Sequence, residues 1–229
     1  MVLVHGAATS SADWLFVLPH LRERFTVVTM DRRGRGHSGD GVEYAMAREA
    51  QDIAAVVDAV GAEILVGHSY GALCSIELAA TGRHLRRLVL YEPPIAAREE
   101  AALAMGAAVA AGELDRALEG FLLGAGTPRD QFELIRRSAA WPVLLDAVPA
   151  VPRELHAAAA WRHPAGPIEA ETLFVLGADT RGEAYLDGLN DLQAVFPNAR
   201  RELVPGQQHV AHVFAAEAFA GLLIRSCAA

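Results

Sequence analysis

Ile64-Leu65-Val66-Gly67-His68-Ser69-Tyr70-Gly71-Ala72-Leu73 is the stretch on which the fold turns. An aliphatic, strand-like run enters a Gly-x-Ser-x-Gly turn and leaves in helix-forming residues. Glycines flanking a serine at a strand-to-helix junction permit a tight turn that projects the serine hydroxyl away from the sheet. An ordinary Gly-rich turn is the competing reading. In a chain of this composition chance yields about 0.05 such matches, so the motif reads as functional.

Working outward, short aliphatic runs recur at residues 2–4, 26–30, 64–66, 88–91, 172–176 and 201–204. Several are continuously apolar, as strands buried on both faces of a parallel sheet must be. Helical patterns lie between them, at 45–60, 75–80, 183–196 and 213–224. In the first, Ile53, Val56, Val57 and Val60 recur at helical spacing, and Gly61 follows as a C-terminal stop. The alternation predicts βαβ units and a doubly wound, mostly parallel α/β sheet. Residues 95–167 break the rhythm: they are Ala-rich, carry several Pro and Gly, and hold no convincing strand. They read as a helical cap inserted into a core made of residues 1–94 and 168–229.

The charge balance excludes some partners. Lys+Arg is 20 and Asp+Glu is 28 among 229 residues, a formal net charge of −8. Nucleic acid and anionic membrane surfaces would repel such a chain. With 52% apolar and 21% charged residues, it has enough apolar side chains for a sizeable core and is not disordered. Two cysteines, Cys74 and Cys227, are too few for a disulfide framework. The first six residues lack a basic leader pattern, and no apolar run reaches a membrane span of ~20 residues. The expectation is a cytoplasmic protein acting on a small molecule.

A serine hydroxyl is a weak nucleophile and needs a base, itself oriented by an acid. His209, in the loop after the last strand-like run, is the candidate base. Asp179, at the tip of the run 172–176, is the preferred acid, because α/β sites assemble at the carboxyl ends of strands. Glu92, after the run 88–91, is the alternative. The backbone N–H groups of Ala7 and Tyr70 are placed to stabilise a developing oxyanion. The His5 side chain is read as holding its loop by hydrogen bonds. His209-x-x-His212 has metal-ligand spacing but no third or fourth ligand pattern with it, so no metal and no cofactor are expected.

Taken together, His5-Gly6, Asp31-Arg32-Arg33-Gly34-Arg35-Gly36-His37-Ser38, the Gly67–Gly71 turn, Gly177-Ala178-Asp179 and Gly206-Gln207-Gln208-His209 resemble the α/β-hydrolase superfamily in order and spacing. The resemblance runs from residue 2 to about 215, apart from the inserted segment, which that superfamily varies as its cap. It implies Ser69 as nucleophile, His209 as base, Asp179 as acid, and Ala7 with Tyr70 as oxyanion donors. The chain departs from the pattern twice. The family's sheet usually has two further strands before the His-Gly strand, whereas this sequence starts at that strand; only if none precede it does run 26–30 become an edge that needs cover or a homodimer. The acid also comes one residue sooner than in the family's commoner Gly-x-x-Asp spacing, and some members place it after the preceding strand, as Glu92 would be.

Serine at the elbow points to acyl transfer on a carboxylic ester or thioester of a small, largely apolar molecule. Use of the same fold as a binding module, a cyclase or lyase, or a carbon–carbon bond hydrolase is the alternative. Trp14, Phe121, Trp141 and Trp161 are candidates to line an apolar acyl pocket between cap and sheet.

Overall fold

Strand residues alternate between two apolar faces, and that alternation builds the molecule. The computed structural model describes residues 1–228. In chain order the elements are β1 (Val2–Val4), a 3₁₀ turn (Ser11–Trp14), α1 (Leu18–Leu21), β2 (Val28–Met30), α2 (Met46–Val60), β3 (Ile64–His68), α3 (Tyr70–Ala80) and β4 (Arg87–Tyr91). Helices α4 (Glu99–Ala110), α5 (Leu114–Gly124), α6 (Arg129–Arg136), α7 (Trp141–Ala147) and α8 (Val151–Ala160) follow. The chain then runs through β5 (Thr172–Gly177), α9 (Glu183–Gln193), β6 (Ala199–Val204), α10 (Ala211–Phe214) and α11 (Ala216–Cys227).

All six strands are parallel, in the order β2-β1-β3-β4-β5-β6. Val2, Val4, Leu65, Leu88, Leu90, Phe174 and Leu176 point to one face, where they meet Ile53 and Val57 of α2, Leu73 of α3 and Leu189 of α9. Leu3, Ile64, Val66, Val89, Leu173 and Val175 point to the other, against Leu21 of α1 and Phe219 and Leu223 of α11. Period-2 side chains between two helical layers make a doubly wound sheet. Each large aliphatic residue fully buried there contributes about 1.5–3 kcal/mol of transfer free energy.

Between β4 and β5 the chain forms the five helices α4–α8. Met105, Leu118, Phe132, Trp141, Val148 and Val151 pack there into a small core of their own. Two helices differ most from the sequence reading. Helix α3 starts at Tyr70 rather than 75, because Tyr70 to Ser75 are buried all round and show no apolar stripe. The last helical segment is broken at Ala215, with φ −137° and ψ 44°, so α10 and α11 are separate. The edge strand β2 is only three residues long, which limits the edge it offers to another chain.

Candidate active site

Parallel register brings the carboxyl ends of the strands to one rim. Val4 pairs with Gly67, His68 with Tyr91, Tyr91 with Val175, and Gly177 with Val204. The residues just beyond are His5 to Ala8, Ser69, Glu92, Ala178 to Thr180, and the loop to His209. Ala8 (φ 54°), Ser69 (φ 51°) and Glu92 (φ 45°) are the only non-glycine residues with left-handed backbones among the described residues. All three stand on this rim. Such conformers cost about 1–3 kcal/mol each and persist where surrounding structure imposes them.

At Ser69 the elbow takes φ 51° and ψ −122°. Its N–H donates to the Tyr91 carbonyl at 2.8 Å, tying the turn to β4. The flanking glycines serve space rather than backbone freedom, since neither has a positive φ. A Cβ on Gly71 would stand 2.4 Å from the His5 carbonyl oxygen, and one on Gly67 would stand 2.6 Å from the Gly71 carbonyl oxygen. Helix α3 approaches the end of β1 that closely because Gly71 has no side chain, and its own strand β3 because Gly67 has none.

His209 Nδ1 lies 2.9 Å from Glu92 Oε2. Glu92 Oε1 accepts from the Gly177 N–H at 2.9 Å and from the Thr180 hydroxyl. Burial pushes the Glu92 carboxyl up, but hydrogen bonds from His209, Thr180 and Gly177 outweigh it and hold the group below the ordinary carboxylate range. An ionised Glu92 fixes the proton on His209 Nδ1 and leaves Nε2 free to take one. The preference for Asp179 is corrected here. Its side chain is about half exposed and lies 3.4 Å from the Arg181 guanidinium; only its backbone N–H serves the loop, donating to Gln207 O at 2.9 Å. From beneath, the Tyr91 hydroxyl donates to Gln208 O at 2.6 Å and accepts from the Ala211 N–H at 2.8 Å.

Ser69, Tyr70, Ala7, Glu92 and His209 open onto one cavity of about 820 Å³ between the sheet and α4, α5 and α8. Tyr70 is the first residue of α3, so its N–H has no acceptor within the helix. Neither it nor the Ala7 N–H is taken by another backbone group among the described residues. Of the four aromatic residues expected to line this space, only Phe121 does. Trp14 is wholly buried under the opposite sheet face against His212 and Phe219. Trp141 belongs to the small core of α4–α8 and donates to Asp115 at 2.9 Å, while Trp161 donates to Glu77 at 2.7 Å. The three tryptophans are packing residues with satisfied or buried edges. Two tyrosines, Tyr70 and Tyr185, also line it, and much of the remaining apolar wall is Ala101, Ala104, Met105, Ala108 and Ala117, too small or too flexible for aromatic counting to find.

The model of the alpha/beta hydrolase family matches residues 1–222. The chain belongs to that family. It is 31% identical to an alpha/beta hydrolase of Sphaerobacter thermophilus, whose structure superposes with a TM-score of 0.81 over 98% of this chain and 91% of that one. An enol-lactonase from Burkholderia xenovorans has the same fold, at TM-score 0.78 and 21% identity over 98% of this chain and 89% of its own. A 2-(acetamidomethylene)succinate hydrolase of Mesorhizobium japonicum is 35% identical over 156 residues, 62% of this chain and 55% of that protein. A putative carbamate hydrolase, RutD of Escherichia coli, is 36% identical over 83 residues, 34% of this chain and 31% of its own length. The chain thus spans from about a third to just over half of the curated relatives it matches.

Two buried clusters of this alpha/beta hydrolase went unread in its sequence. Arg32, wholly buried, donates to Glu49 of α2 at 2.9 Å, to Glu154 of α8 at 2.6 Å and to the Gly6 carbonyl at 3.0 Å. Arg35 adds a second contact to Glu154 at 2.8 Å. The signal was present in the Asp31–Ser38 turn, but its partners lie 17 and 122 residues away. His5 holds its loop as expected, with Nδ1 2.8 Å from Gly6 O and Nε2 accepting from the Arg32 N–H at 3.1 Å. Burial pushes His5 down to about 3, so it is neutral.

The second cluster lies beneath the elbow. Asp13 Oδ2 sits 3.4 Å from His68 Nδ1 and 3.0 Å from His212 Nε2. These three are the one group among the described residues that brings metal-type ligand atoms together, within 4.8 Å of one another. His209 and His212 do not share a centre, since one faces Glu92 and the other Asp13. Burial pushes His68 down to about 3, so its ring is neutral. Its Nε2 lies 3.0 Å from His209 O, a contact between the residue before the nucleophile and the base loop. No helix among the described residues is long and apolar enough to cross a membrane.

Proposed function

We propose that this protein is a serine hydrolase that cleaves a carboxylic ester or thioester of a small, largely apolar acid through an acyl-enzyme. The observation that carries the reading is the 2.9 Å His209–Glu92 contact in the wall of the cavity onto which the strained Ser69 opens. His209 Nε2 takes the Ser69 proton as Oγ bonds to the substrate carbonyl carbon. The Ala7 and Tyr70 N–H groups meet the oxyanion, each such donor being worth about 2.7–4 kcal/mol in the transition state. Collapse breaks the bond to the alkoxide or thiolate, which leaves with the proton from His209. Water then attacks the acyl-serine, gives its proton to His209, and the acid departs as Ser69 Oγ recovers that proton. The products are one acid and one alcohol or thiol for each water consumed. Membership of the alpha/beta hydrolase family and relatives whose names denote hydrolases support the reaction class.

The test is covalent labelling. A fluorophosphonate adds one adduct per chain, mapped to Ser69 by peptide mass, and His209→Ala abolishes it. An adduct elsewhere, or none on folded protein, removes the reading.

A further inference from the structure

The cavity's charge is opposite to that of the molecule. The chain carries a formal −8, yet three arginines, Arg98, Arg116 and Arg181, line the cavity. They come from three separate places: the residue before α4, the start of α5, and the loop after β5. The single carboxylate in the lining is Glu92, already engaged by His209, Thr180 and Gly177. The acids beside these arginines in sequence, Glu99, Glu113 and Asp179, are not part of the lining. Glu99 instead meets His156 at 2.6 Å.

The three cations are differently committed. Arg116 reaches Glu113 at 2.7 Å and Arg181 reaches Asp179 at 3.4 Å, both in exposed pairs. Such pairs are screened by solvent and exchange readily for a better partner. Arg181 also donates to its own loop carbonyls, Ala178 O at 3.1 Å and Thr180 O at 3.2 Å. Arg98 has neither a side-chain hydrogen bond nor an ion pair among the described residues. A guanidinium with an open fork beside a largely apolar wall suits a planar oxyanion, which it can meet bidentately. The same lining holds Ala101, Ala104, Met105, Ala108 and Phe121, which suits an apolar body.

We infer that the substrate is a carboxylate-bearing ester or thioester: an apolar acyl body whose far end carries an anion received by Arg98, with Arg116 and Arg181 supplying the surrounding positive field. This rests on the serine hydrolase reading and narrows it to a substrate class. Neutral acyl groups would leave Arg98 without a partner, and cationic ones would be repelled.

The experiment compares length-matched 4-nitrophenyl esters that differ only at the far end: free carboxylate, methyl ester and trimethylammonium. Chains of adipate length and longer avoid self-cleavage by the neighbouring carboxylate. The wild type is expected to show kcat/KM about tenfold higher for the carboxylate than for the methyl ester at low ionic strength. That ratio shrinks in about 0.5 M sodium chloride, where the screening length falls to a few ångströms. Arg98→Gln lowers the ratio towards unity, and the double variant Arg98→Gln/Arg181→Gln lowers it at least as far. Unfolding midpoints establish that both variants fold. A ratio of one or below in the wild type, or one unchanged in both variants, overturns the inference. Adipate as a competitor of fluorophosphonate labelling gives a readout independent of turnover: it slows labelling of wild-type Ser69 and loses that effect in Arg98→Gln. Labelling without charge discrimination defeats the substrate class alone, whereas absence of labelling defeats the hydrolase reading beneath it.

Discussion

The turns after β4 and β5 make an instructive pair. Each leaves a buried parallel strand, each reaches a carboxylate within two residues, and the two strands are neighbours in the sheet. Yet Glu92 is buried with three donors on its two oxygens, while Asp179 has its side chain half in solvent beside Arg181. The difference starts in the backbone. Glu92 takes a φ of 45°, which turns its side chain along the rim toward the loop of His209. Asp179 instead lends that loop its amide. Two acids of equal chemical aptitude are separated by direction, and the longer glutamate reaches His209 from the more distant strand. Carboxylates at strand ends are therefore best ranked by what donates to them.

This contrast is most sharply tested by removing one charge at a time. Glu92→Gln is expected to cut kcat by about 10³–10⁴-fold, because an amide can present its NH₂ to Nδ1 and stabilise the wrong tautomer of the base. Asp179→Asn keeps the backbone donor to Gln207 and should stay within about twofold, as exposed ion pairs contribute little. Steady-state kinetics on both variants with one activated ester decides between them, and a crippled Asp179→Asn beside an active Glu92→Gln reverses the assignment. A smaller effect comes from Thr180→Val, which removes one donor to Glu92. One hydrogen bond to a charged group is worth roughly 1.5 kcal/mol, a loss of about tenfold in kcat. Unchanged turnover would show that Gly177 alone fixes the carboxylate.

The smallest effect is on stability. Because the folded state holds Glu92 below its ordinary range, the unfolded chain binds more protons as the pH falls past about 4.3. The wild type therefore carries a stabilising contribution above that pH and loses it on acidification through the lower folded value. Urea midpoints of wild type and Glu92→Gln should differ most near neutrality and converge in acid. A gap that widens on acidification contradicts the ionised, hydrogen-bonded Glu92.

Much of the molecule was legible before its coordinates. The strands were readable because parallel strands covered on both faces become aliphatic runs, and all six appear with ends shifted by at most two residues. Ser69 and His209 meet the same cavity where motif and position put them. What escaped was non-local. The rank of Glu92 over Asp179 depends on Thr180 and Gly177, which belong to the next strand's end. The three tryptophans misled because large rings serve cores as readily as pockets. The start of α3 was hidden because a helix buried on every side has no stripe. Arg32 stands in a recognisable turn, but its acids come from α2 and α8, and no local pattern joins residues that far apart.

That arginine also ties the roof of the cavity to the core. Swinging α8 away from the sheet would part Glu154 from Arg32 and Arg35 in a dry interior, and breaking a buried pair of this kind costs about 3–5 kcal/mol. The side formed by α4 and α5 has no such buried ion pair; it lines the cavity mostly with alanines and glycines, with Arg98 and Arg116 among them. An opening that spared these ion pairs would have to move α4 and α5 and leave α8 in place.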